Sequence, residues 1–509
     1  MRDIPIPQAS EEAMMMSAPG EPLLLHTTDM GQRDDDCACP EGSLRLLEGW
    51  PEGPETDCAC PSGYGKPRGM ASGDALFMIA EGTFCIPLPH GFVLAFSPYT
   101  PGGPCVLNEA GHRRWHEFLH PQPLRDDFDH LLARHGLVLP THLDPPRPSV
   151  FSGTLTIWLH VTNACNLDCP YCYVRKSSEA LDVDTGVRIL NQVMSAARRH
   201  GFRRVKIKYA GGEATLHFHR IRQLHEHVVQ KTRELDLERE EIILSNGTAI
   251  RPEDADWMAI EGVRVMISLD GIGEWHDRLR SSRGGSGTFH RVAYTVDRIL
   301  IPRGIRPAIT MTITGLNAMA AADVARWALI ERDLPLSFNF YRHNILSASR
   351  SELELEERKI IEGLQAAYAV IEAHLPSRPF FNGLLDRVHA GSHAHPCGAG
   401  HDYIVITHRG EIAQCHMLLE QPLWTGREQN DDPLQAIRQG PLRNLRGDEK
   451  EGCRSCPFRF HCAGGCPLEA YRATGRWDVR SPHCRIYQTL MPAALRLEGL
   501  RLLKIHGYL

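Results

Sequence analysis

The sequence predicts an α/β protein. Its centre is a six-strand parallel sheet, with a small N-terminal domain before it and a loop-rich domain after it. Three observations predict this. Six apolar, β-rich runs alternate with helical patterns between about 153 and 345. Strand-like pieces followed by two short helical ones precede them. The 16 cysteines of the 509 residues fall into three groups, with none between Cys172 and Cys397. Cysteine used as a small buried hydrophobe would scatter; grouping at short spacing is what shared metal ligation requires.

Residues 1–70 are rich in Pro, Gly, Asp and Ser, and are expected to form a disordered segment. They carry a short repeat, DCACPEG at 36–42 and DCACPSG at 57–63. Its cysteines, with Cys85 and Cys105, make the first group of six. A domain at about 72–145 follows. ALFMIA, TFCIPL and GFVLAF read as strands. Asn108 can cap a helix starting EAGHRRWHEFL, with Trp115 and Leu119 one turn apart. PLRDDFDHLLARHG places Leu124, Phe128, Leu131 and Leu132 on one face and stops at Gly136. Strands followed by two short helices predict a winged-helix-like fold. THLDPPRPS at 141–149 reads as a linker.

From about 153 the runs TLTIWLHV, VKIKYA, EIILSN, RVMISL, PAITMTIT and LSFNFY alternate with helical patterns such as VRILNQVMSAARRHG and IRQLHEHVVQKTREL. Six βα units over 153–345 imply a parallel sheet, either curled into a partial (β/α)6 TIM-like barrel or doubly wound. In both, the chemistry sits at the C-terminal strand ends. A helical connector at 346–390 leads to a loop-rich segment, 391–490, holding seven cysteines. A final helix over 491–509 packs back on the body.

Composition excludes several classes. Apolar residues are 42% and charged residues 23%, the proportions of a globular chain. Net charge is 56 − 62 = −6, which does not suit a general nucleic-acid binder. No apolar run of about 18 residues is present to span a membrane. The first twenty residues lack a signal-peptide layout, so a cytoplasmic location is expected. In a reducing compartment, cysteines at this density serve metal ligation or catalysis rather than disulfides.

HVTNACNLDCPYCYV places Cys165, Cys169 and Cys172 at x3 and x2 spacing, directly after the first barrel strand. Three thiolates on one loop can hold three irons of a [4Fe–4S] cube and leave the fourth open to a small chelator. Zinc is the competing reading, but it normally takes four ligands from paired knuckles.

Here the sequence resembles the radical S-adenosylmethionine superfamily. The triplet carries an aromatic, Tyr171, before its last cysteine. YAGGEA follows at the end of the second strand, LSNGT at the third, SLDGIGEWHDRLR at the fourth, and GSGTFHRV after that. The resemblance implies that Tyr171, Gly211, Gly212, Glu213, Ser245, Asn246, Ser268 and Arg280 form the cofactor site. Gly-Gly-Glu would take the methionine amino group, and Arg280 its carboxylate. Ala214 stands where the family usually has Pro. The implied chemistry is one-electron cleavage of S-adenosylmethionine to a 5′-deoxyadenosyl radical, which takes a hydrogen from the substrate while the protein orients it and excludes water.

CGAGHDYIVITHRGEIAQC holds Cys397 and Cys415, and CRSCPFRFHCAGGC holds Cys453, Cys456, Cys462 and Cys466. Cys484 follows. This arrangement resembles the SPASM domain of peptide-modifying radical enzymes. It implies two auxiliary [4Fe–4S] clusters, one on Cys397, Cys415 and Cys466, the other on Cys453, Cys456, Cys462 and Cys484. Three clusters would then be present in all. Two auxiliary cubes need eight ligands and seven cysteines are present. Either His393 or His395 supplies the eighth, or one iron stays open.

The resemblance further implies a precursor peptide or protein substrate and a reductant such as flavodoxin or ferredoxin. No nucleic acid and no membrane are expected as partners. Maturation of a ribosomally made peptide is the first reading, supported by the resemblance of the N-terminal domain to leader-recognition elements, where a peptide adds as a strand along a sheet edge. The alternative is the sulfatase-activating group, in which an Asp usually follows the second auxiliary cysteine; His416 stands there instead. A non-catalytic iron–sulfur carrier on a dead fold would lack a triplet cysteine, the Gly-Gly-Glu or the Arg, and none is lost. Asp270, Tyr209 and His416 are the catalytic candidates by position.

Overall fold

The computed structural model describes residues 21–26, 75–149, 152–424 and 432–509. The two CAC repeats, and with them most of the segment expected to be disordered, lie outside the described residues.

The N-terminal part contains β1 (Leu24–His26), β2 (Phe77–Ile79), β3 (Phe84–Pro87), β4 (Val93–Phe96), β5 (Cys105–Leu107), α1 (Glu109–His116), α2 (Asp127–Arg134) and β6 (Val138–Pro140). One antiparallel sheet runs β1-β5-β4-β3, and β2 pairs with β6 in a second. Asn108 caps α1 as expected, its Oδ1 accepting from the Gly111 N–H at 2.8 Å. Asp126 does the same for α2, and Gly136 turns the chain at a φ of 67°. The expected Trp115–Leu119 pair does not form. The α-helix stops at His116 and tightens into a 3-10 turn, so Phe118 is buried beside Trp115 and Leu119 faces solvent.

The barrel strands are β7 (Thr154–Thr162), β8 (Arg204–Gly211), β9 (Glu238–Ser245), β10 (Arg264–Ser268), β11 (Ala308–Ile313) and β12 (Leu336–Phe340). They coincide with the six apolar runs of the sequence. All neighbours are parallel and lie in unbroken sequential order. A doubly wound sheet reverses its order at a switch point. This one does not, so each crossover steps the same way and the helices lie on one side, as in a partial (β/α)6 barrel.

Those helices are α3 (Val183–Arg199), α4 (Phe218–Glu234), α5 (Pro252–Glu261), α6 (Glu274–Leu279), α7 (Phe289–Tyr294) and α8 (Ala321–Ala325). Asp182 caps α3 through the Thr185 N–H, and Ile189, Leu190, Val193 and Ala197 turn to the sheet. The buried faces of strands and helices share one continuous core.

α9 (Glu357–Ala373) forms the connector. β13 (Tyr403–Ile406) and β14 (Ile412–Ala413) make a hairpin, followed by α10 (Pro433–Gln439), α11 (Pro467–Thr474) and α12 (Cys484–Ile505). The hairpin does not stand apart. β13 pairs in parallel with β7, so the barrel sheet continues into the C-terminal part as β12-β11-β10-β9-β8-β7-β13-β14. The last helix begins at Cys484, earlier than the expected 491, and carries Pro492 inside it. It packs on α9 and on the N-terminal sheet. Among the described residues no helix is long and apolar enough to cross a membrane.

Candidate active site

A cavity of about 280 Å³ opens at the C-terminal ends of the barrel strands. Cys165, Cys169 and Cys172 line it from the loop after β7. Gly211, Gly212 and Glu213 enter at the end of β8, Ser245 and Asn246 at β9, Ser268 and Arg280 at β10 and just beyond. The residues expected from sequence to hold the cofactor, Tyr171 included, therefore line one cavity. Strand alternation explains the selection. Met266 and Ser268, like Thr310 and Thr312, are i, i+2 pairs on the inner face.

The cysteine loop is tied to the strand ends by main-chain and amide contacts. Gly212 N–H donates to Thr162 O at 2.7 Å and Glu213 N–H to Ala164 O at 2.8 Å. A Cβ on Gly211 would lie 2.4 Å from Thr162 O, and one on Gly212 2.5 Å from Ala164 O. The glycines are thus required for the chain's own close approach. Asn246 donates from Nδ2 to Asn166 Oδ1 at 2.9 Å, and Asn166 from its Nδ2 to Thr248 at 2.8 Å. The loop also bridges the segment after α6, Leu167 pairing antiparallel with Ser282.

Glu213 is buried and accepts from Ser245 Oγ at 2.9 Å, from the Asn246 N–H at 2.6 Å and from Thr215. Burial raises its pKa, and these donors partly offset the rise. Ser245 spends its hydroxyl proton on Glu213. Asp270 is also buried. It accepts from Tyr171 Oη, from Arg280 Nε at 2.7 Å and from the Thr312 N–H at 2.8 Å. With three donors on its two oxygens, it orients Arg280 and Tyr171. The Arg280 guanidinium lies 5.6 Å from the Tyr171 ring centroid.

Of the two other catalytic candidates, one lies in the cavity. His416 stacks on Trp158 of β7, ring centroids 4.6 Å apart, and its Nδ1 meets Tyr403 Oη at 2.9 Å. Burial, aided by Arg387 and Arg342, lowers its pKa to about 3, so the imidazole is neutral at pH 7. Tyr209 is not in the cavity. It precedes the inward Ala210 by one position and so points to the opposite face, where it donates to Glu241 at 2.6 Å in a buried group with His225.

Sequence reasoning missed part of the cavity lining. Arg342, Asp386, Arg387 and Met417 also line the cavity. Asp386 accepts from Arg342 at 2.6 Å and from Tyr487 of α12 at 3.2 Å. Only the adjacency of Met417 to Cys415 gave a signal in the sequence.

The late cysteines form two groups. The β13–β14 hairpin closes the interval between Cys397 and Cys415, and Cys466 joins them at the start of α11; the three share one electrostatic environment. Cys453, Cys456, Cys462 and Cys484 line a second, smaller cavity. Tight turns there run through Ala463, Gly464 and Gly465, all at positive φ. Asn444 donates from Nδ2 to the Cys397 carbonyl at 2.7 Å and approaches its Sγ at 3.8 Å. Lys450 is buried between the groups, its Nζ donating to Ala463 O at 2.7 Å. Burial lowers its pKa, with Cys453 and Cys397 opposing. His393 Nδ1 faces Gly391 O at 3.2 Å and its ring meets His389. His395 stacks on His401 at 3.9 Å, and His401 faces Asn444 O.

The donor sets are all thiols, which suits soft iron–sulfur ligation. Burial raises Cys169, Cys415 and Cys462 to about 12, so metal loading at these three must release protons. Among the described residues no three His, Cys, Asp or Glu side chains converge as a mononuclear ion would require.

The fold is a partial (β/α)6 barrel with its cavity at the C-terminal strand ends. The model of the Radical SAM superfamily matches residues 159–328 of this chain. It is 27% identical over 326 residues to the antilisterial bacteriocin subtilosin biosynthesis protein AlbA of Bacillus subtilis, covering 61% of this chain and 66% of that one. It is 32% identical over 170 residues to the sporulation killing factor maturation protein SkfB of the same organism, covering 33% of this chain and 37% of that one. Among solved structures, anSMEcpe with bound AdoMet and the Cp18Cys peptide superposes with a TM-score of 0.56 at 17% identity, over 68% of this chain and 99% of that one. A radical SAM domain implies one [4Fe–4S] cluster and S-adenosylmethionine.

Proposed function

We propose that this chain modifies a ribosomally made peptide or protein by hydrogen abstraction, forming a cross-link, a thioether or a similar bond. In this reading the segment at 72–145 recognises the substrate, 153–345 performs the chemistry, and 391–490 is a SPASM domain. Cys165, Cys169 and Cys172 hold the radical cluster. Cys397, Cys415 and Cys466 hold one auxiliary [4Fe–4S] cluster, and Cys453, Cys456, Cys462 and Cys484 the other. When bound, the first cluster and S-adenosylmethionine supply a hydrogen-abstracting radical. The protein's residues do the rest. Arg280, fixed by Asp270, receives a carboxylate. Asn246 braces the cysteine loop. Trp158 and neutral His416 wall the cavity on the side where Arg342 and Arg387 stand.

The observation that carries the reading is the joint wall: thiols of the first loop and His416, Met417 and Arg387 of the C-terminal part line one cavity. Substrate held there meets both. AlbA is named for bacteriocin biosynthesis, SkfB for maturation of a sporulation killing factor, and anSMEcpe was solved with a bound peptide, which supports a peptide here. The sulfatase-activating alternative is not favoured, because neutral His416 replaces the expected Asp. In this reading the eighth auxiliary position is left open for substrate or solvent; a fully coordinated, histidine-ligated spectrum would refute that. A flavodoxin or ferredoxin is the expected electron source.

The test is anaerobic reconstitution to about 12 irons per chain, four per cluster. 5′-Deoxyadenosine formation is then measured, with the mass of a short peptide encoded beside this chain. No 5′-deoxyadenosine with any peptide refutes the reading.

A further inference from the structure

The segment RGDEKEG at 446–452 sets one lysine among three carboxylates, yet none of the three neutralises it. Asp448 pairs with Arg446 at 3.2 Å and with Arg147 at 3.3 Å. Glu449 accepts from the Arg446 N–H at 3.0 Å. Glu451 is exposed and pairs with Arg476 at 2.8 Å. Lys450 turns inward instead and is 1% exposed. Among the described residues it has no carboxylate within ion-pair distance. Lysine is almost never buried outright without a counter-charge, because an unpaired charge in the interior is costly.

The cysteine framework surrounds this ammonium. Nζ donates to Ala463 O at 2.7 Å. Ala463, Gly464 and Gly465 form the left-handed turn between Cys462 and Cys466, which belong to different auxiliary sets. A Cβ on Gly464 would meet Lys450 Cδ at 2.5 Å, Nζ at 3.1 Å and Cys453 Sγ at 3.4 Å. The glycine thus opens the space that the ammonium and that thiol share. Burial disfavours the charge on Lys450, whereas Cys453, Cys397, Cys462 and Cys466 favour it. Two of those cysteines come from each set.

A thiolate-ligated [4Fe–4S] cube is an anion and becomes more negative on reduction. A fixed cation in a low-dielectric interior favours the more negative state, and charge around a cluster is one of the properties that set its potential. We infer that Lys450 is the shared counter-ion of the two auxiliary sites and raises the reduction potential of both. The inference rests on the proposed function for the presence of clusters on these thiols. Lys450 acts on the reaction only through the clusters, and so is a positioning residue.

The test is redox titration of the reconstituted full chain followed by electron paramagnetic resonance. Wild type is compared with Lys450→Met, Lys450→Gln and Lys450→Arg after iron analysis of each. Signals are assigned with Cys484→Ala, which removes a ligand of one auxiliary cluster. Both neutral variants should disfavour reduction of both auxiliary clusters at least about tenfold, a drop of about 59 mV for one electron. Lys450→Arg should stay closer to wild type than that. The cluster on Cys165, Cys169 and Cys172 should keep its potential in every variant. Neutral variants that leave the auxiliary potentials in place overturn the inference. A shift of one auxiliary cluster alone shows that the charge is not shared, and overturns it too. If the neutral variants lose about eight irons per chain and Lys450→Arg keeps them, the clusters require the charge and the inference stands. Loss from all three variants alike makes Lys450 a packing residue and overturns it. Wild-type protein with only about four irons and no auxiliary signal would refute the auxiliary cluster sites themselves, and the inference with them. Unmoved potentials in fully loaded variants fall on Lys450 alone.

Discussion

Asp270 holds Arg280 through its Nε at 2.7 Å and fixes Tyr171 with the same carboxylate oxygen. The pair joins the end of β10 to the chain just after α6 and sets where the guanidinium stands in the cavity. Asp270 is therefore a positioning residue, and its influence on the reaction passes through Arg280.

Changing Asp270→Asn removes one charge of a buried pair, which costs about 3–5 kcal/mol of stability. S-adenosylmethionine binding should weaken at least about tenfold, the equivalent of roughly 1.4 kcal/mol, while iron content stays near wild type. Calorimetric titration with the cofactor, beside iron analysis, separates the two effects. A loss of iron equal to the loss of binding would contradict the positioning role.

Gly212→Ala should disturb the cysteine loop and not merely the cofactor. The added methyl would meet Ala164 O at 2.5 Å and Asn163 O at 2.7 Å. Forcing that contact costs about 1–3 kcal/mol. The variant should lose about four irons per chain and its 5′-deoxyadenosine formation, with the auxiliary sites still filled.

Cys169→Ala and Cys484→Ala should each lose about four irons per chain but differ in consequence. The first should abolish 5′-deoxyadenosine. The second should retain it and lose peptide product, because Cys484 lines the smaller cavity, away from the barrel. Electron paramagnetic resonance of the reduced variants would identify which signal each has lost.

Asp129 gives the N-terminal part an acid-sensitive clasp. Its carboxylate is buried and accepts from Arg114 Nε at 2.8 Å and from the Arg125 N–H at 2.9 Å. Burial raises its pKa, but these donors outweigh it and the net shift is downward. A depressed carboxyl contributes stability that is full above the unfolded value of about 3.9 and is lost as pH falls through the folded value. Acidification below about pH 4 should therefore lower the melting temperature of the wild type more than that of Asp129→Asn. Equal acid sensitivity of the two proteins would remove Asp129 from the account.

Much of this was legible in the sequence, for identifiable reasons. The six barrel strands announce themselves because short β-rich runs alternate regularly with helical patterns. The cysteine groups are visible because their ligands are close in sequence. β1, β5 and β6 were not legible: three residues cannot display a period, and β1 takes its partner from Cys105–Leu107. Tyr209 was misplaced by its closeness to the strand end, although alternation with Ala210 already put it outside. The wall built by Arg342, Asp386 and Tyr487 joins positions far apart in sequence, and no local pattern encodes such a meeting.

The parallel pairing of β13 on β7 has a consequence for how this chain can be taken apart. A cut before Tyr403 would strip the neighbour from one margin of the barrel sheet and uncover the backbone groups of Thr156–Leu159. Bare strand margins recruit other chains, so such a fragment should aggregate rather than persist as a lone catalytic barrel. The C-terminal part is thus no interchangeable cassette. Swapping it between relatives would succeed only where the incoming hairpin can knit onto β7 in the same register.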